Sequence, residues 1–177
     1  MTELLPLATG YDDIVQRMAE FVRGLGLLKA GATIEPIGRP MTEEWLSKNA
    51  VRHGAACPSI AGVDRVELLA NGIEKHVLSV GLYVVPDSDR GKRQDAEMLR
   101  DVGAIVSAVA NERFGLRHAS APDGLRAVNR NSPSLAKAGS CLWMIDWRQA
   151  FGILDAASSA PRTAVDGLGN QVAEAAP

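Results

Sequence analysis

His76-Val-Leu-Ser-Val-Gly-Leu-Tyr-Val-Val85, the polar turn Pro86-Asp-Ser-Asp-Arg-Gly91 and the run from Lys92 to Phe114 carry the longest regular apolar patterns in the chain. Side chains alternate across a pleated strand, so His76, Leu78, Val80, Leu82 and Val84 share one face, and that face is almost wholly apolar. After the turn, Met98, Val102, Ile105 and Val109 recur at spacings of four, three and four, which stacks them into a single stripe of a helix. An apolar strand face and an apolar helix stripe joined by a short polar turn predict a packed strand and helix at the centre of the core.

Upstream, Tyr11 to Leu28 reads as an amphipathic helix. Asp12 and Asp13 stand at its positive end, where they serve as cap and first-turn acids, and Ile14, Met18, Phe21, Val22 and Leu25 line one side. Gly24 and Gly26 weaken the last turn, so the helix is predicted to end there or at Gly31. Ala32 to Ile37 reads as a short strand, and Pro36 predicts an edge position or an early strand end, because proline cannot donate in a central ladder. Met41 to Asn49 reads as a short helix capped by Thr42. It carries Trp45, which either packs on its own domain or anchors a partner. Ala55 to Ile60 and Val63 to Leu69 read as two strands set apart by the breakers Pro58 and Gly62. The second turns through Ala70-Asn71-Gly72 into the organising strand, and Asn-Gly is a hairpin signal because both residues tolerate positive φ.

Downstream, Gly115 supplies a helix stop and Leu125 to Arg130 reads as a strand. Cys141 to Arg148 then alternates, with Trp143, Ile145 and Trp147 on one side and Asp146 and Arg148 on the other, and the strand is predicted to continue towards Phe151. From Asp155 the composition turns to Ala, Ser, Gly and Pro, which predicts an arm that orders only against a partner. The hairpin and the antiparallel closing pair predict an α+β class rather than a doubly wound sheet. The expectation is a small, mostly antiparallel sheet with the long helix and the N-terminal helix packed on it, over residues 1–154, and a flexible tail over 155–177.

With 177 residues, 46% hydrophobic and 23% charged, the chain has the composition of one globular domain. A formal net charge of −2 argues against a protein whose main task is to wrap nucleic-acid phosphates. The first ten residues lack the basic and apolar regions of a secretory signal, and no apolar run reaches the roughly 18 residues of a membrane span, so the expected location is the cytoplasm in which the chain is made. Cys57 and Cys141 are far apart and outside any CxxC arrangement, which fits two buried small hydrophobes.

The search for chemistry ends at named positions. A dinucleotide fingerprint beginning at Gly24 and Gly26 fails at Lys29, and a phosphate loop over Gly26 to Gly31 fails at Ala32 and Thr33. His53, His76 and His118 have no histidine partner at the spacing that puts two ligands on one helix face, and no Gly-x-Ser-x-Gly elbow is present. The expectation is a protein with no catalytic residues, no metal ligands and no cofactor. Two features point to contacts instead. Asp87, Asp89 and Asp95 gather with Arg90, Lys92 and Arg93 at the helix entrance, as a solvated mixed-charge turn or as a subunit contact. Gly103, Ala104, Ser107, Ala108 and Ala110 form a small-residue face, open to close approach by the chain's own first helix or by a neighbouring subunit.

In order, lengths and pattern, these elements resemble the tail terminator, or tail-completion, proteins of Mu-like and related long-tailed phages. The matching parts are the N-terminal helix ending near Leu28, the edge strand around Ile34 and the Gly54-Ala-Ala-Cys-Pro-Ser-Ile60 strand. The strand His76 to Val85, the helix Lys92 to Phe114 and the closing strand Cys141 to Trp147 complete it, over about Tyr11 to Phe151. The resemblance implies an α+β subunit that closes into a six-membered ring, a homohexamer. Such a ring caps the head-proximal end of the tail tube, stops its polymerisation and offers the joining surface to the head or neck connector, with genomic DNA passing through its lumen. It also implies a host-cytoplasmic assembly stage and a final place in the virion. The Met41 to Asn49 insert and the tail after Asp155 depart from the family pattern. A head-closure or other neck connector protein, and a small enzyme without a recognisable motif, are the alternatives.

Overall fold

The strand predicted at His76 to Val85 is the middle member of a five-stranded sheet in the computed structural model, which describes residues 5–28, 30–38, 45, 54–69, 73–85, 95–131, 133, 141–154, 164–165 and 171–172, with the backbone alone for 95–98, 164–165 and 171–172. In chain order the elements are α1 (Tyr11–Gly24), β1 (Thr33–Ile34), β2 (Ala55–Leu68), β3 (Glu74–Val85), α2 (Asp95–Val109), β4 (Asp123–Asn129) and β5 (Trp143–Ile153). The spatial order is β1-β2-β3-β5-β4, with β1 parallel to β2 and every other neighbouring pair antiparallel. The protein is therefore a small α+β domain with a mixed, mostly antiparallel sheet and an N-terminal helix. Two further short strands, β6 (Ala164–Val165) and β7 (Gln171–Val172), pair with each other as a separate two-stranded sheet.

Register explains the core. Leu82 stands opposite Pro58 on one side and Ile145 on the other, Val80 opposite Ile60 and Trp147, and Val84 opposite Ala56 and Trp143. Directly opposed residues share a face, so one face of the sheet is apolar across three strands. Ile14, Met18 and Val22 of α1 and Val102, Ile105 and Val109 of α2 belong to the same buried cluster, with Phe114 and Leu116 from the chain after α2. Phe114 meets Phe21 edge-on at 5.5 Å between ring centroids and stacks near Trp147 at 6.5 Å. Each such large side chain contributes about 1.5–3 kcal/mol on burial, against about 0–1 kcal/mol for an exposed ion pair, so the helix-to-sheet contact sets the fold. One polar group sits inside it: Gln149 Oε1 accepts from Trp147 Nε1 at 2.9 Å, and its Nε2 donates to the carbonyls of Glu112 at 2.9 Å and Ser120 at 2.7 Å.

Several expectations are corrected. The N-terminal helix stops at Gly24, the first of the two ends expected for it, and so falls short of Leu28, with Gly26 at φ 63 just beyond it. Its N-cap is Gly10, with no side-chain cap; Asp13 instead accepts from the Thr9 amide and pairs with Arg17 one turn on. The two strands expected on either side of Gly62 are one strand, β2, which runs through Pro58 in regular register and takes irregularities only between Ile60 and Gly62 and between Val63 and Arg65. The long helix ends at Val109 rather than Phe114, because the Glu112 carboxylate draws in the amides of Arg113 and Phe114 and Phe114 takes φ 53. The edge position around Ile34 holds, although its pairing with β2 is parallel. The Asn71-Gly72 turn lies outside the described residues; the ladder on either side closes with Leu68 opposite Glu74 and a bond from the Leu69 amide to the Ile73 carbonyl at 2.9 Å, as a tight hairpin requires.

Candidate functional site

The outer face of α2 is where the small residues lie. Gly103 and Ser107 are exposed, Ala104, Ala108 and Ala110 are half-buried, and Leu99, 54% exposed, stands one turn before Gly103 on the same line. A Cβ added at Gly103 would meet nothing within 4 Å among the described residues. The first helix, one of the two candidates to cover this face, packs instead against β2 and β1. The opposite stripe, Val102, Ile105 and Val109, is buried as predicted.

Of the predicted charged entrance, Asp87, Asp89, Arg90, Lys92 and Arg93 lie outside the described residues. Trp45 is half-buried, with helical backbone, and packs against Ala55, Cys57, Val85 and Leu142 on the sheet face opposite the helices. It thereby covers one end of that second face. The rest of the Met41 to Asn49 segment lies outside the described residues. Cys57 sits under this cluster, and burial pushes its thiol up to about 12, so it is protonated at neutral pH and behaves as a core sulfur. Cys141 is likewise buried, and the two are not joined by a disulfide.

The remainder of the second face carries a lattice of ion pairs that no motif announced. Asp64 takes Arg148 Nε at 3.0 Å and Ser79 Oγ at 2.8 Å. Arg126 Nε donates to both oxygens of Asp146, at 2.9 and 2.7 Å, and these bonds raise the guanidinium further above its ordinary range. Glu67 pairs with Arg65 at 2.8 Å and with Lys75 at 3.5 Å. Two shallow concavities of about 530 and 340 Å³ share Asp123 and Arg148 in their walls. Each cation named here already faces a carboxylate, so the surface presents alternating, internally neutralised charge, suited to meeting another polar surface rather than to concentrating one sign of ligand.

His76, read as an ordinary strand histidine, is held by the Tyr11 hydroxyl at 2.7 Å from Nδ1 and by Glu74 at 2.8 Å from Nε2, in an edge-on contact with the Tyr11 ring. Among the described residues there is no group of three or more His, Cys, Asp or Glu placed to hold a metal ion, and no helix long and apolar enough to cross a membrane.

These surfaces belong to a small α+β domain with a mixed, mostly antiparallel sheet and an N-terminal helix. Comparison with protein-family models matches none of them to this chain. Comparison with curated proteins likewise gives no match.

Proposed function

We propose that the protein is a structural subunit of a phage tail, a tail terminator that closes into a ring at the head-proximal end of the tail tube. The observation that carries this reading is Gly103. A helix-interior glycine costs about 0.8–1.0 kcal/mol relative to alanine, and among the described residues nothing comes within 4 Å of the place a Cβ would occupy. The cost is rational where a neighbouring backbone must approach. Leu99, Gly103 and Ser107, one turn apart on the helix, give that neighbour an exposed line of one apolar and two small residues. The element order over 11–153 supports the same reading, since it follows the pattern on which the resemblance rests.

A ring of identical subunits needs two different patches that meet head to tail. On one side of the subunit stand α2 and the exposed edge strand β4; on the other the sheet ends at β1. In this reading the hexamer docks on the last ring of tube protein, ends polymerisation and offers its far side to the head or neck connector. The net charge of −2 per subunit suits a lumen through which DNA slides rather than sticks. The test is to polymerise the tail tube protein with and without this protein. Capped tubes that stop growing support the proposal; tubes that lengthen regardless, with no bound subunit, overturn it.

A further inference from the structure

We propose that a second copy of this chain docks on the lower edge of β2, pairing residues 62–67 antiparallel with the same segment about a two-fold axis between Asp64 and Arg65. This contact is isologous and does not rest on the ring reading, whose contacts are heterologous.

β2 is a protected edge over only part of its length. β1 pairs with Ala55 and Ala56, and the Ile37 amide donates to the Pro58 carbonyl at 3.0 Å. From Ala61 to Leu68 the outer edge has no partner among the described residues, while the inner edge is bonded to β3. That free edge carries exposed apolar side chains, Val63 at 44%, Val66 at 51% and Leu68 at 68%. A long edge of this kind is a template for another strand.

The sequence of the edge says which strand. Paired antiparallel with itself about the centre between Asp64 and Arg65, Val63 falls opposite Val66 of the second copy, Asp64 opposite Arg65, and Gly62 opposite Glu67. Opposed residues must share a face. In a regular strand Val63 and Val66 lie on opposite faces, and so do Asp64 and Arg65, and the match fails. The irregularity between Val63 and Arg65 changes that. Val63 stands opposite Leu78 and Val66 opposite His76, both on the helix side of the sheet. Asp64 reaches Ser79 and Arg148, and Arg65 stands opposite Val77, both on the other side. The bulge thus sorts the two valines onto one face and the two charges onto the other. Bulges usually blunt an edge against indiscriminate pairing. Here a partner must carry the same bulge to match, and a second copy does.

Six residues a side make a small interface, so the pairing is weak and concentration-dependent. The test uses Asp64→Arg and Arg65→Asp, which give up the surface contacts of Asp64 with Arg148 and Ser79 and of Arg65 with Glu67, each worth about 0–1 kcal/mol, so each variant is expected to keep its fold, as circular dichroism checks. Alone, each variant opposes like charges twice across the two-fold, and its homodimer is weakened about tenfold or more. Mixed in equal amounts, the two variants oppose Arg to Asp at both places. Native mass spectrometry at about 50 µM, a concentration suited to a small interface, is expected to show the heterodimer in large excess over both homodimers. A purely statistical mixture, or wild-type protein without dimer in low salt, overturns the proposal. Independently, oxidation of mixed Val63→Cys and Val66→Cys proteins is expected to give a covalent dimer that neither gives alone. Cross-linking within either single preparation, or none in the mixture, overturns the register.

Discussion

Gly103→Ala separates what the subunit needs from what its assembly needs. Among the described residues the added methyl meets no heavy atom within 4 Å, so it introduces no clash with them, and it replaces the poorest ordinary helix former with the best. The gain is about 0.8–1.0 kcal/mol, which for a domain of this size raises Tm by about 2–4 °C. Gly103→Arg keeps most of that gain, because the longer side chain also projects into solvent from the isolated subunit. It places a long charged side chain between Leu99 and Ser107, however, where a neighbouring backbone would approach, and is expected to abolish ring closure. Differential scanning fluorimetry at high dilution reads the first effect, and analytical ultracentrifugation at high concentration reads the second. A fall in Tm for Gly103→Ala would show that the face is covered within the subunit. Unimpaired rings for Gly103→Arg would remove this face from the interface. Either result refutes the reasoning.

Gly152→Ala has the opposite sign: its Cβ would lie 2.8 Å from the His118 Cβ and 3.3 Å from Leu7 Cδ2, and the overpacking is expected to cost about 1–3 kcal/mol, read as a lower urea midpoint. Gln149→Leu strands the Trp147 indole N–H and the Glu112 and Ser120 carbonyls, and is expected to destabilise by about 2–4 kcal/mol in the same assay. Cys57 resists alkylation at pH 8 in the native protein and reacts on unfolding, since burial holds it as the thiol up to about 12. The unfolded chain loses that proton near 9.0, so the stability linked to Cys57 is complete below pH 9.0 and falls as pH rises towards about 12. The slope reaches at most about 1.4 kcal/mol per pH unit and is absent from Cys57→Ala.

The apolar faces of β3 and β5 and the buried stripe of α2 were legible because long, regular periods leave few alternative structures. What failed were the places where a local rule met a tertiary contact. Pro58 and Gly62 read as breakers, yet β2 runs through both, because the strand has only a short partner on its outer side and bulges where regular pairing would fail. The end of α2 was misplaced because Glu112 turns its carboxylate onto the following amides, a choice that composition does not reveal. The small-residue face of α2 was visible as a pattern, but that it stays uncovered depended on where α1 packs. Asp146 and Arg148 were read as the polar side of their strand. Their partners Arg126 and Asp64 come from other strands, and only the register of the sheet brings them together.

Assembly of the protein is read most simply from an electron micrograph of the purified protein, alone and with tail tube protein. Rings of six subunits, free or seated on tube ends, are expected. Particles that remain single subunits at every concentration, and still do so when tube protein is added, would contradict the proposed assembly.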